Sequence, residues 1–357
     1  MKVRRGILTL ALLLVIAVVV FANRGRIHFD WAMFWLQLRH VSWPHIAIGI
    51  GLIYSTYLLR SVRWSVFLAA TKKVSPWALL GPQFIGFTAV ALFGRLADVI
   101  RPALVAKRVQ LSVSSQIAVY TIERMFDLGA AAIIFSGALL FAPRDLPHHE
   151  IFVRTGVFSL AGTAMIAIFA VVVRVAGGAV AEVVEKVLGG LSKVIAENIA
   201  EKIRGFRDGM NAISTAQDFV VTALISLAMW GLIGLAYVET LHAFVDTPQL
   251  ATVSFSRTML LMGASIGASL LQFPILGWFT QIAATAVSMS AFYGAPIEAA
   301  TACGALLLVV TFLSIIPVGL VFARLEHVSL KKVASESNID SAADADSVAD
   351  AAPALDA

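Results

Sequence analysis

Residues 219–238 read FVVTALISLAMWGLIGLAYV, twenty positions without a charge or a proline. A bilayer core takes roughly 20 helical residues. In hydrocarbon only a helix or a closed barrel satisfies its own backbone, and a barrel strand alternates apolar with polar positions. This stretch does not alternate, so it reads as a membrane-spanning helix. Working outward, similar runs recur at 7–22, 44–59 (continuing toward 68), 76–93, 116–141, 151–173 and 299–322. Two shorter pieces, 255–271 and 276–292, are separated by QFP at 272–274. The 357 residues are 59% hydrophobic and 14% charged, with a mean hydropathy of +0.87. The expected fold is all-α: a polytopic helical membrane protein of six to eight or more spans, some of them re-entrant hairpins.

Several function classes fall away. The one cysteine, Cys303, permits neither an intrachain disulfide nor a thiol-built metal site. No GxxxxGK[ST] or HExxH string occurs, so nucleotide-driven and zinc-protease chemistry is not expected. Nor is any cofactor, metal or nucleic acid. The histidines fall near span ends and read as interfacial. Trp31, Trp35, Trp43, Trp64 and Trp77 read as belt residues of the membrane–water interface.

Charge divides the chain unevenly. The net is +5, yet residues 336–357 hold six acids and no Lys or Arg. The expected organisation is a membrane domain over 1–323 and an acidic, disordered cytoplasmic tail over 324–357. Within the domain, Val180, Val183, Val184, Val187, Leu191, Val194 and Ile195 recur at helical spacing among charges. They predict a cytosolic amphipathic helix over 177–215. Lys and Arg crowd the loops at 2–5, 60–73, 174–207 and 324–332. The positive-inside rule then puts both termini in the cytoplasm of a bacterial-type inner membrane. The run 7–22 reads as an uncleaved first span, with cleavage after Ala22 as the alternative.

Against this background FGRLADVIRPALVAKR at 93–108 is anomalous. Arg95, Asp98 and Arg101 stand three apart, and Pro102 is expected to break the helix at Arg101. YTIERMFD at 120–127 supplies Glu123 and Asp127 four apart, with Arg124 between them. Arg60 and Arg63 close the second span in LLRSVRW. Charges in hydrocarbon must pair, reach the interface or line a wet cavity. Two readings stand: an ion-pair lock of Arg95 or Arg101 with Glu123 or Asp127, and a lipid or anion site. In the second, Arg95, Arg101, Arg60 and Arg63 are the candidate ligands, and Asp98, Glu123, Arg124 and Asp127 form the charge network. Guanidinium suits phosphate because its fork is bidentate. Gln272, Pro274, Gly277 and Gln281 mark a second helix break inside an apolar stretch, the pattern that accompanies binding sites in transporters.

Together RSVRW (60–64), GRLADVIRP (94–102) and IERMFD (122–127) resemble the flippase-like transmembrane domain of lysylphosphatidylglycerol synthetases, over about residues 7–323. Ala97-Asp98 replaces that family's Gly-Glu, and Arg101 matches its Arg. Glu123, Arg124 and Asp127 match its Glu-Arg-x-x-Asp. Pro274-Ile275-Leu276-Gly277 and Gln281 stand where the family has a Pro-Gly-Gly turn and a nearby Glu. The resemblance implies lipid handling, often movement of a polar-headed lipid between leaflets, without the cytosolic aminoacyl-transfer domain. The expectation is an inner-membrane lipid translocase whose partners are membrane lipids with anionic headgroups. The alternatives are a scaffold for a separate lipid-modifying enzyme and an ion or small-solute carrier. Oligomeric state stays open.

Overall fold

The computed structural model describes residues 29–142, 144, 149–188, 215–269 and 276–328, and every regular element among them is helical. Asp30 caps α1 (Trp31–Arg39), its carboxylate accepting from the amides of Ala32 and Met33 at 2.8 and 3.1 Å. Ser42 and Pro44 then start α2 (Trp43–Leu68); proline is tolerated there because first-turn amides have no helical partner. α3 (Pro76–Phe93) ends at Gly94, whose φ of 84° is open to glycine at little cost. A 3₁₀ turn, Arg95–Val99, leads into α4 (Ile100–Val109). Ser112 caps α5 (Val113–Leu140). α6 (His149–Leu188) is one helical run bent at Ala176, where φ is −125° and ψ 24°. A Thr215–Asp218 capping box opens α7 (Ala216–His242). After a single turn at Pro248–Ala251 come α8 (Phe255–Ser269) and α9 (Leu276–Tyr293). α10 (Ile297–Leu308) passes through a π turn, Val309–Leu313, into α11 (Ile315–Leu325).

Five helical stretches are long and apolar enough to cross a membrane: α2, α3, the His149–Ile168 part of α6, α7 and the α10–α11 run. α5 has the length, 28 residues, but carries Glu123, Arg124 and Asp127. A multi-pass membrane protein follows. The α6 stretch leaves Phe158, Met165 and Ile166 exposed, as expected of a surface that meets lipid rather than water.

Two expectations change. Arg101 is helical, and Pro102 sits in the first turn of α4, where its missing amide costs nothing. The break falls instead at Gly94 and the 3₁₀ turn. The predicted boundary between span 151–173 and the amphipathic segment is a bend at Ala176 within one helix, not a loop. Residues 189–214 of that amphipathic segment, the span 7–22 and the tail from 329 lie outside the described residues.

α2 and α7 pack side by side as the spine, with α10, the π turn and α3 against them and α11 against α3. Their apolar core includes Ile46, Ile53, Tyr57, Tyr237, Leu241 and Leu307. A smaller core of Trp64, Phe67, Leu68, Leu79, Val105, Val109, Val119 and Ile122 ties α2, α3, α4 and α5 together. Close helix approach there depends on small residues. A Cβ on Gly86 of α3 would lie 2.8 Å from Cβ of Arg101. Without it, the stem of Arg101 lies directly on α3.

Candidate functional site

The helices around the smaller core converge on one buried cluster of charges. Successive turns of α2 present Arg60, Arg63 and Trp64, and successive turns of α5 present Glu123 and Asp127. At about 1.5 Å per residue, Arg60 is ~12 Å short of the end of α2 and Glu123 ~15 Å past the start of α5. The cluster is thus set well inside the bundle toward one end of it.

Glu123 is the hub. Its Oε1 accepts from Arg63 Nη2 at 2.7 Å and Arg101 Nη1 at 2.9 Å, and its Oε2 accepts from Trp64 Nε1 at 2.9 Å. Arg63 Nη1 donates to Asp127 Oδ1 at 2.6 Å and to Ser226 Oγ of α7 at 2.7 Å. Arg101 Nη1 also reaches Gln83 Oε1 of α3 at 3.2 Å. Arg124 lies 3.0 Å from Asp127 Oδ2. Asp98, on the 3₁₀ turn, accepts from the Tyr120 hydroxyl and stands 3.6 Å from Arg101 Nη2. Arg63, Arg101 and Glu123 are wholly buried.

Arg60 differs from Arg63 and Arg101, which hydrogen-bond Glu123. Its guanidinium is 3.5 Å from Asp127 and 3.6 Å from Glu123, yet Nε and Nη1 make no hydrogen bond within the structure. The residue is only 9% exposed. The ring of Phe87 lies 4.8 Å from Arg60 and 4.7 Å from Arg101, so one aromatic face is shared by both cations.

Charge and hydrogen-bond inventories agree on what the cluster lacks. Arg60, Arg63, Arg101 and Arg124 face Asp98, Glu123 and Asp127, a formal excess of one positive charge. Arg60, Arg63, Arg101, Arg124 and Gln83 all keep buried nitrogens without a hydrogen-bond partner, whereas Asp98 Oδ1 is the one acceptor of the cluster in that state. Buried donors without partners cost free energy, so the arrangement favours an added anion with several acceptor oxygens.

The cluster gathers Arg60, Arg63, Asp98, Arg101, Glu123, Arg124 and Asp127 from the sequence reading. It also redistributes them: Arg101 and Arg63 are the lock, and Arg60 is the under-partnered cation. Arg95 stands on the 3₁₀ turn, and its side chain lies outside the described residues, as do Gln272 and Pro274. Gly277 and Gln281 belong to α9. Gln281 joins a separate hydroxyl cluster, donating to Ser265 Oγ at 3.3 Å, which Tyr237 and Thr285 also approach at 3.3 and 3.2 Å.

Sequence reasoning passed over Gln83, Phe87, Tyr120 and Ser226, whose neutral side chains carry no mark in an apolar run. It misplaced Trp64. Trp31, Trp35, Trp43 and Trp77 are exposed as belt residues should be, but Trp64 is buried and bonded to Glu123. Its position between Arg63 and the end of the span was the available signal. Two histidines pair with acids at the far end of α2: His45 with Glu239 at 2.7 Å and His40 with Asp246 at 2.9 Å. No group of three or more His, Cys, Asp or Glu suited to a metal occurs among the described residues.

Comparison with known proteins adds one match. The family model described as "Lysylphosphatidylglycerol synthase TM region" matches residues 8–321. No curated protein and no solved structure matches the chain.

Proposed function

The chain belongs to the family of the lysylphosphatidylglycerol synthase transmembrane region, and from that premise we propose that it is a lipid translocase which receives a phosphate-bearing headgroup at Arg60. The observation that carries this reading is the surplus guanidinium: a nearly buried arginine with unpartnered nitrogens, in a cluster one positive charge in excess. A phosphodiester supplies one negative charge and the missing acceptors. Arg63 and Arg101, held by Glu123, would keep the geometry while Arg60 engages and releases the ligand.

The topology we propose has six full spans: residues 7–22, α2, α5, α6, α7 and α10–α11. α4 has ten residues, about 15 Å of helix and half the hydrocarbon thickness. It packs back on α3, so α3 and α4 form a re-entrant hairpin from the cytoplasmic side. α8 and α9 form the second hairpin, from the opposite side. Both termini are cytoplasmic in an inner membrane, and the arginine cluster lies in the cytoplasmic half. With no nucleotide motif in the sequence, movement is passive or coupled to an ion gradient.

The test is leaflet exchange in proteoliposomes of purified protein with headgroup-labelled anionic and zwitterionic lipids. Protein-dependent exchange is expected, with Arg60→Ala lowering the rate at least about tenfold while the variant elutes as folded protein; one lost charged contact of ~1.5–3 kcal/mol gives that order. Wild-type rates in folded Arg60→Ala would sink the role of Arg60. Absence of exchange with every lipid, with and without an imposed proton gradient, favours the scaffold reading. The bonds that tie Arg63 and Arg101 to Glu123 also suit that reading.

A further inference from the structure

The same end of the bundle carries a second concentration of positive charge, on the surface. Lys72 and Lys73 in the α2–α3 loop, Lys107 and Arg108 in the last turn of α4, and Arg324 in the last turn of α11 are all exposed. Hydrogen bonds hold the first two groups together: Lys72 Nζ donates to the Val109 carbonyl at 2.9 Å, and Arg108 Nε to the Ala78 carbonyl at 3.3 Å. The backbone carbonyls they touch are neutral.

One carboxylate is already seated at this corner. Glu326, immediately after α11, packs over α3 where Gly81 has no side chain; a Cβ there would lie 1.9 Å from Glu326 Oε1. Burial raises the Glu326 carboxyl above its usual range, and the charge of Arg108 opposes that rise. Two residues later Val328 packs beside Ile85, Ile100 and Leu104. The chain therefore leaves the described structure at the basic corner. From Val328 the acidic stretch begins eight residues on, at Glu336. Eight extended residues reach about 28 Å. Lys331 and Lys332 come first, and then Glu336, Asp340, Asp344, Asp346, Asp350 and Asp356 follow without a compensating base.

We propose that the acidic segment 336–357 docks on the basic surface formed by Lys72, Lys73, Lys107, Arg108 and Arg324 at the cytoplasmic mouth of the bundle. Five exposed cations meet six acids on the same chain, and tethering raises the local concentration of those acids to the millimolar range. The segment then competes with anionic headgroups for the rim next to α3 and α4. This inference concerns where the tail sits and does not depend on lipid transport.

Proximity can be read directly on the full chain in nanodiscs. Cys303 is buried, so Thr71→Cys and Ala343→Cys place the only reactive thiols at the rim and in the tail without removing a charge. The measurement is intramolecular cross-linking by a short bis-maleimide, against a tail in which all six acids are replaced by their amides. In zwitterionic lipid the charged tail should cross-link roughly fivefold more than the amide tail, and 1 M salt should erase the difference because screening shortens to about 3 Å. With anionic lipid added, the yield should fall yet stay above the amide baseline. Equal yields for the two tails in zwitterionic lipid overturn the proposal. A drop to baseline in anionic lipid also overturns it and leaves the rim to lipid headgroups.

Discussion

One carboxylate oxygen of Glu123 bonds two fully buried arginines, and its other oxygen is held by an indole. Breaking a buried pair by removing one partner costs about 3–5 kcal/mol, because the remaining charge loses its compensation. Glu123→Gln keeps the shape and removes the charge, raising the excess of the cluster from one to two. Unfolding in a detergent titration should show a loss of that size, far more than Arg60→Ala, which removes a cation already in surplus. Equal stabilities for Glu123→Gln and wild type would mean that Arg63 and Arg101 are compensated from elsewhere. The four-residue spacing of Glu123 and Asp127 was legible, since it places both acids on one face of α5. Which arginine would be left over was not. That depends on the register of α2 and α4 against α5, and spacing within one segment carries no information on it. Trp64 was misread for the same reason, its depth being set by neighbours distant in sequence.

At the level of elements, Arg101 is placed by the approach of α4 to α3. The absent side chain of Gly86 is what permits that approach. Gly86→Ala puts a methyl 2.8 Å from Cβ of Arg101, on the rigid base of the side chain rather than its flexible end. Overpacking of this kind costs about 1–3 kcal/mol, and α4 must move outward to relieve it. Arg101 Nη1 then draws away from Glu123. The expected result is lower thermal stability together with weaker headgroup exchange, whereas Ala at the uncrowded Gly51 of α2 should change neither. A Gly86→Ala protein as stable and active as wild type would show that the α3–α4 contact has slack. Helix existence was readable from apolar runs, and most spans lie within a few residues of where hydropathy puts them. The break beside Arg101 was assigned to the wrong residue. Proline rules apply to helix interiors, while a proline in the first turn is harmless; only the backbone shows that the chain had already turned at Gly94.

Across the whole molecule, the distribution of charge and the packing of α4 on α3 are the grounds for the proposed arrangement relative to the bilayer. The sequence showed that both segments exist but not whether 76–109 crosses the membrane or returns, because hydropathy measures length and not direction. The hairpin topology makes a specific demand. Lys73, before α3, and Lys107, at the end of α4, must face the same compartment, with Asp246 after α7 facing the other. Because Cys303 is buried, single cysteines at these three positions can be labelled in right-side-out and inverted vesicles with a membrane-impermeant maleimide. Lys73→Cys and Lys107→Cys should label from the cytoplasmic face alone, and Asp246→Cys from the opposite face alone. If Lys107→Cys instead labels with Asp246→Cys, α3 crosses fully and α4 ends on the far side. The smaller core that joins Leu79 of α3 to Val105 and Val109 of α4 and to Phe67 and Leu68 at the end of α2 could not then form. Arg101 rides on α4, so its contact with Glu123 of α5 would fail with it. The hairpin and the arginine cluster therefore stand or fall together, and this labelling pattern tests both without reference to any transported lipid.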